Sequence, residues 1–368
     1  MKIILSGGGT GGHIYPAVAV AEALRRRLGD GVELLFVGAR GKMEMEKVPA
    51  LGYRITGLPV AGLRRKLSMK NFLLPFKVAR SVRLARRTIR DFGADIVVGF
   101  GGYASAPVLW AAQRMGIPTV IQEQNSYAGV TNRIVGRRAK RICVAYSGME
   151  RFFPADRIVL TGNPLRGDFS KVADRGEALR YFGLKEGVPV VLVVGGSLGT
   201  RTLNEMMKRW VDDITTAGDI QVIWQTGKYY ATEMEVFMEG RSNRGIWRGA
   251  FIERMDLAYA AADLVISRSG AGAVSELCLA GKPALFVPSP NVAEDHQTAN
   301  AMALVSKSAA MMVADAAAVE QAMPLARKTL SEPERMKALS ANIRAMAIPD
   351  SADRVADEVL NSIGNRME

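Results

Sequence analysis

The chain is poor in several features that would carry function elsewhere. Its 368 residues include two histidines, His13 and His296, and two cysteines, Cys143 and Cys278. The cysteines are far apart in apolar contexts (RICVAY and ELCLAG), which excludes a disulfide framework and reads as two buried, reduced thiols. Two histidines fall short of the three or four ligands a metal site normally takes, so no metal is expected. No D-x-D occurs anywhere, so glycine loops and arginines must neutralise any leaving diphosphate. No window offers the roughly 18 apolar residues a membrane-spanning helix needs, and the N-terminus reads as a strand rather than a signal segment. The expected compartment is therefore the cytoplasm.

A hydrophobic content of 48% with 23% charged residues belongs to a folded globular protein, and the length suits two domains. The net charge of +13 is unevenly distributed: residues 58–93 hold ten Lys or Arg against the single acid Asp91, a local +9.

"KIILS" runs into a glycine loop, then into "AVAVAEALRRRL", which is apolar at helical spacing and ends in cations that suit a helix C-terminus. "VELLFVG", "ADIVVGFGG", "IPTVIQEQ" and "RICVAY" follow as short strands apolar on both faces, the mark of a covered parallel sheet. Near residue 165 the pattern restarts with "VPVVLVVGGSLGT", after the Gly- and Pro-bearing junction "LTGNPLRGDF". Two Rossmann-like α/β halves account for this. The expected domains are 1–164 and 165–344, and the chain closes with an amphipathic helix, "RVADEVLNSIG".

Four glycine loops end predicted strands: GGGTGGH (7–13), GGYAS (101–105), GGSLGT (195–200) and SRSGAGAVSE (267–276). Glycines let backbone N–H groups approach an anion, and the next helix adds positive potential at its N-terminus. Four such loops point to a cleft for phosphate-bearing ligands. Gly7, Gly9 and Gly12 also satisfy the dinucleotide fingerprint, but "VELLFVGAR" ends in Gly38, Ala39 and Arg40, without the acid that binds a cofactor ribose. An arginine there leaves an NADP-dependent reductase open. Glu276, one turn into a helix, is placed to bind both hydroxyls of a ribose, or is a first-turn acid favoured by the helix dipole.

His13 closes the first loop and His296 lies in "PNVAEDHQTANA". A well-placed histidine base contributes ~10² to 10⁴ in rate; the alternative for either is a helix-start residue. In "LPVAGLRRKLSMKNFLLPF", Leu63, Leu67, Phe72, Leu73 and Phe76 are interleaved with Arg64, Arg65, Lys66 and Lys70, a composition suited to an anionic bilayer surface. Pro75 then opens a helix with Val78, Val82, Ala85 and Ile89 on its apolar side. No nucleic-acid recognition motif or row of stacking aromatics accompanies the charge, so nucleic acid is not an expected partner.

GGGTGGH, GFGGYASAP, QEQNSYAG, TGNPLR, GGSLGTRTLN, RSGAGAVSE and EDHQTANA run in order through nearly the whole chain. Together they resemble the bacterial glycosyltransferases that add GlcNAc to lipid-linked muramyl-pentapeptide. The resemblance implies a GT-B fold, two Rossmann-like domains whose parallel sheets face a deep cleft, with the terminal helix (about 345–368) packed back on the first domain. It implies UDP-GlcNAc as donor, undecaprenyl-pyrophosphoryl-MurNAc-pentapeptide as acceptor, no cofactor, and a metal-independent, inverting reaction at the cytoplasmic face of the cell membrane. Carried over by motif, the donor meets Thr10, Gly11, Gly12, Asn125, Arg166, Ser197, Ile252, Ala271, Gly272, Ala273, Val274, Ser275, Glu276 and Gln297. In that set Ser197 and the 271–276 turn take the diphosphate, the Ile252 backbone the uracil, Glu276 the ribose, and Asn125 with Gln297 the sugar. His13 matches the catalytic loop histidine, and Gly101, Gly102 and Tyr103 fall to the acceptor diphosphate. Leu198 and Thr200 depart from the Gln and Ala of some members. A non-catalytic nucleotide-sugar-binding membrane protein remains a competing expectation.

Overall fold

The computed structural model describes residues 1–60, 74–166 and 173–364, with side chains at all of these except 74–77 and 293. The chain divides into two compact units: Met1–Gly167 with Ile348–Glu368, and Asp168–Ala347.

In the first unit β1 (Lys2–Ser6), α1 (Gly11–Leu28), β2 (Glu33–Ala39), α2 (Glu44–Ala50), β3 (Arg54–Leu58), α3 (Leu74–Phe92), β4 (Ile96–Gly99), α4 (Ser105–Arg114), β5 (Thr119–Glu123), α5 (Val130–Gly136), β6 (Arg141–Val144) and β7 (Ile158–Leu160) follow in turn. The strands form one parallel sheet in the order β3-β2-β1-β4-β5-β6-β7. Alternate side chains face opposite layers. Ile4, Val97 and Ile121 pack with Val82, Ala85 and Ile89 of α3 and Val108 of α4, while Ile3, Val98 and Cys143 pack with α1.

The second unit runs α6 (Arg175–Phe182), β8 (Val190–Val194), α7 (Arg201–Ala217), β9 (Gln221–Gln225), α8 (Ala231–Met238), β10 (Ile246–Gly249), α9 (Met255–Ala261), β11 (Leu264–Ser267), α10 (Ala271–Ala280), β12 (Ala284–Phe286), α11 (His296–Val305), β13 (Met311–Met312), α12 (Ala318–Leu330) and α13 (Pro333–Ala345). Its parallel sheet has the order β10-β9-β8-β11-β12-β13. The last helix, α14 (Ser351–Gly364), belongs to the first unit, where Val355, Ala356 and Val359 are fully buried beside α1. Arg26 and Arg27 of α1 reach Asp353 of α14 at 2.9 and 3.2 Å, and Arg27 also pairs with Asp357.

In both sheets the strand order reverses beside the first strand, between β1 and β4 and between β8 and β11. Open α/β sheets bind ligands at the carboxyl ends of strands flanking such a switch point. All four glycine loops lie there.

Two edge strands, β3 and β7, go beyond the sequence reading. β3 (RITGL) mixes polar and apolar residues and is mostly half-buried, as suits an edge, and β7 (IVL) is apolar but only three residues long. Val78 also departs from expectation: it is 50% exposed, whereas Val82, Ala85 and Ile89 are buried.

Candidate functional sites

In the first unit the residues gather around one loop. Gly9 (φ +88°) turns the chain from β1 into α1, and Thr10 at the helix N-cap makes no side-chain cap bond. The Nδ1 of His13 lies 3.1 Å from the Gly8 carbonyl and 3.2 Å from Thr10 Oγ1. A carbonyl only accepts, so Nδ1 carries the ring proton and Nε2 is the acceptor atom of the neutral ring. The ring faces Gly101: a Cβ there would stand 3.1 Å from His13 Nε2. A Cβ at Gly102 (φ +80°) would collide with the Gly8 carbonyl, so the second loop needs glycine both for its backbone and for the close approach. Ser105 ties this loop to β1 by donating to the carbonyls of Ser6 (2.6 Å) and Gly101 (2.9 Å). Tyr103 is exposed at the loop tip.

Asn125 sits beyond β5 over a buried acid. Glu123 accepts from the Asn125 backbone (3.1 Å), the Asn125 side chain (3.3 Å), Gly129 N–H (3.1 Å) and Asn132 Nδ2 (2.9 Å). Burial pushes the Glu123 carboxyl up from its ordinary range, and these donors oppose the shift. Arg166 stands apart from the loops, pairing with Glu22 of α1 at 3.5 Å.

In the second unit two helix N-termini open on one pocket of about 610 Å³. Thr200 caps α7 and Gly270 caps α10, and neither makes a side-chain cap bond, so first-turn N–H groups of both helices are available to an anion. Gly199 (φ +86°) and Gly227 (φ +82°) hold the 195–200 loop against the start of α8, each lacking room for a Cβ. Gly195, Gly196, Thr200, Ala273 and Gln297 line the pocket. Gln297 Oε1 accepts from Ser289 N–H at 2.9 Å, which sets the direction of its amide. Ala271 and Gly272 form the first turn of α10; Val274 is buried in the core and gives its N–H to Gly270, while Ser275 is half-buried. Ser197 is exposed at the loop tip, and its carbonyl accepts from Lys228 N–H at 3.2 Å. Ile252, 2% exposed, links β10 to α9.

Glu276 is half-buried, one turn into α10, and Oε2 accepts from the Tyr259 hydroxyl at 2.8 Å. Burial pushes the Glu276 carboxyl up to about 7, opposed by the tyrosine bond. Burial, with the neighbouring acid, holds Tyr259 well above its usual value.

Leu63, Arg64, Arg65, Lys66, Leu67, Lys70, Phe72 and Leu73 lie outside the described residues, as does the Phe76 side chain. Three supports escaped the sequence reading. Glu44 belonged to no motif and is fully buried. Tyr259 had no motif around it. Arg268, within a quoted motif, had no assigned role; it pairs with Asp315 at 2.6 Å and donates to the Val287 carbonyl at 2.7 Å, bracing the pocket floor. Among the described residues no cluster of three His, Cys, Asp or Glu could hold a metal ion, and no helix is long and apolar enough to cross a membrane.

Two Rossmann-like units with glycine loops at both switch points have the architecture of a nucleotide-binding α/β protein, and comparison with known proteins narrows it. The models of the glycosyltransferase family 28 N-terminal and C-terminal domains match residues 3–144 and 190–355, and the chain belongs to that family. A Parabacteroides distasonis protein named UDP-N-acetylglucosamine–N-acetylmuramyl-(pentapeptide) pyrophosphoryl-undecaprenol N-acetylglucosamine transferase is 53% identical over 366 residues, 99% of each chain. A Porphyromonas gingivalis protein of the same name is 50% identical over 98% of this chain and 95% of its own. The crystal structure of Acinetobacter baumannii MurG aligns with a TM-score of 0.79 at 29% identity, covering 98% of this chain and 99% of that one. The calicheamicin glycosyltransferase CalG4, at 16% identity and a TM-score of 0.70, shares the fold. The chain is a glycosyltransferase with the GT-B fold.

Proposed function

We propose that the protein transfers GlcNAc from UDP-GlcNAc to the C4 hydroxyl of MurNAc in undecaprenyl-pyrophosphoryl-MurNAc-pentapeptide, in peptidoglycan synthesis. The acceptor oxygen attacks the anomeric carbon as the bond from that carbon to the diphosphate breaks. The hydroxyl proton passes to His13, and UDP leaves with the bonding electron pair. A positioned base and donors aimed at the developing charge are the two contributions such a transfer needs.

The observation that carries this reading is the pocket in the second unit: uncapped N-termini of α7 and α10 face it, and Glu276 stands one turn into α10. The diphosphate belongs with those amides and Ser197, the ribose with Glu276, the uracil with the Ile252 backbone, and the sugar with Gln297. The contacts carried over to the first unit (Thr10, Gly11, Gly12, Asn125 and Arg166) are part of the same proposal, with Gly101, Gly102 and Tyr103 for the acceptor diphosphate. The cationic and apolar residues between Leu63 and Phe76 support peripheral attachment of the first unit to the cytoplasmic face of the cell membrane, on anionic lipid. The names of the 50–53% identical relatives support donor and acceptor alike.

The test is UDP release from UDP-GlcNAc with and without the lipid-linked acceptor. Release only with the acceptor is expected; binding without turnover would favour a sensing module, and nicotinamide oxidation a reductase.

A further inference from the structure

The peptide unit joining Gly8 to Gly9 is held from both ends. Its carbonyl accepts from Nδ1 of His13 at 3.1 Å, and its N–H donates to Glu44, 3.2 Å from Oε1 and 3.1 Å from Oε2. No cis peptide occurs among the described residues, so this unit is trans, with its C=O and N–H pointing in opposite directions. Glu44 and His13 therefore lie at opposite edges of one peptide group.

Glu44 is fully buried, at the first position of α2, and also accepts from Ala39 N–H at 2.9 Å. A buried acid is costly unless hydrogen-bonded, and two backbone donors with a helix N-terminus supply that partnership. The surroundings hold it in place. A Cβ on Gly8 or Gly38 would strike the Glu44 side chain, and Gly102 closes over the Gly8 carbonyl.

We propose that Glu44 is a positioning residue for His13, acting through this peptide. Negative charge at the N–H end draws electron density toward the carbonyl end, and hydrogen bonds in series strengthen one another. A stronger carbonyl acceptor fixes the proton on Nδ1, holds the ring in plane, and raises the basicity of Nε2. The arrangement does the work of the carboxylate that orients a catalytic histidine directly, with a peptide group interposed.

Other titratable groups on the elements around the loop are engaged elsewhere or lie at the surface. Arg40, at the end of β2, donates from Nε to the Gly57 carbonyl at 2.8 Å. Glu123, at the end of β5, takes Asn132 and the 125–129 loop amides. Tyr15 and Tyr103 are exposed. Glu44 is joined to the ring through a bonded path, by way of the Gly8–Gly9 peptide.

The inference rests on His13 acting in the proposed transfer, and it has a readout that does not need turnover. With two histidines in the chain, and His296 in the other unit as reference, long-range ¹⁵N–¹H spectra resolve the tautomer and titration of His13. In Glu44→Gln the Nδ1–H tautomer loses its predominance and the His13 midpoint falls by about half a unit or more. An unchanged tautomer and midpoint would overturn the proposal whatever the activity. In turnover, Glu44→Gln lowers kcat about tenfold, part of the ~10² to 10⁴ a general base supplies, and adds nothing in a His13→Ala background. Losses that add in the double variant would mark Glu44 as a loop support only. If Glu44→Gln fails to fold, Glu44→Asp, which keeps the charge one methylene further from Gly9, gives an intermediate midpoint; a wild-type midpoint overturns the inference. A wild-type enzyme without acceptor-dependent UDP release would sink the transferase reading while leaving the spectroscopic result to decide the role of Glu44.

Discussion

The hydroxyl of Tyr259, on α9, donates to Oε2 of Glu276, on α10, at 2.8 Å, and this bond opposes a burial that lifts the acid to about 7. The pair sets a titration near physiological pH beneath the proposed ribose site. Only the ionised carboxylate accepts from both hydroxyls of a ribose, so KM for UDP-GlcNAc should rise as pH falls from 8 to 6. Tyr259→Phe removes a bond that favours the charged form and should move that rise to higher pH. A pH-independent KM in the wild type would detach Glu276 from the donor.

The same shift bears on stability with a definite sign. A carboxyl raised from 4.5 unfolded to about 7 folded binds its proton more tightly in the native state, so its contribution is favourable at low pH and is lost as pH rises between those values. Glu276→Gln retains an acceptor for Tyr259 and removes the buried charge. Its Tm relative to wild type should therefore be higher at pH 8 than at pH 5, as differential scanning calorimetry would reveal.

Removing the imidazole separates chemistry from donor binding. His13→Ala should cut turnover more than tenfold while UDP-GlcNAc affinity, measured by calorimetry, stays within about twofold, because the loop amides survive the substitution. Near-normal turnover would remove His13 from the mechanism.

Gly227 adopts φ +82° with its Cα side pressed on the Gly199 backbone. Gly227→Ala combines roughly 1–2 kcal/mol of left-handed strain with a backbone collision, and should displace the 195–200 loop. A lowered Tm together with weakened UDP binding is expected; a melt and affinity equal to wild type would contradict the observed packing of the two loops.

The basic segment is testable without enzymology. Replacing Arg64, Arg65, Lys66 and Lys70 with Ser should weaken sedimentation with anionic vesicles, each cation near the surface being worth about 1 kcal/mol. Binding that does not change would refute a membrane seat at this segment.

Local chemistry made much of this protein legible before any coordinates. Short apolar runs such as VVLVV and LVIS point to buried parallel strands, because a strand covered on both faces is apolar at nearly every position. Glycine loops at strand ends raise the expectation of phosphate seats, because glycine lets backbone amides approach an anion closely. The edge strands left less trace: β3 is not continuously apolar, since an edge strand need not be, and β7 is a run of only three residues. What folding decided is which groups meet across distance in the chain. Glu44 reaches the Gly9 amide from 35 positions away, and Tyr259 meets Glu276 across two helices. Glu44 carries no local mark that separates it from an ordinary first-turn glutamate, and the motif around Glu276 gives no sign of its tyrosine partner. Burial and partnership belong to the packed state, and a linear pattern records only the side of an element a residue occupies.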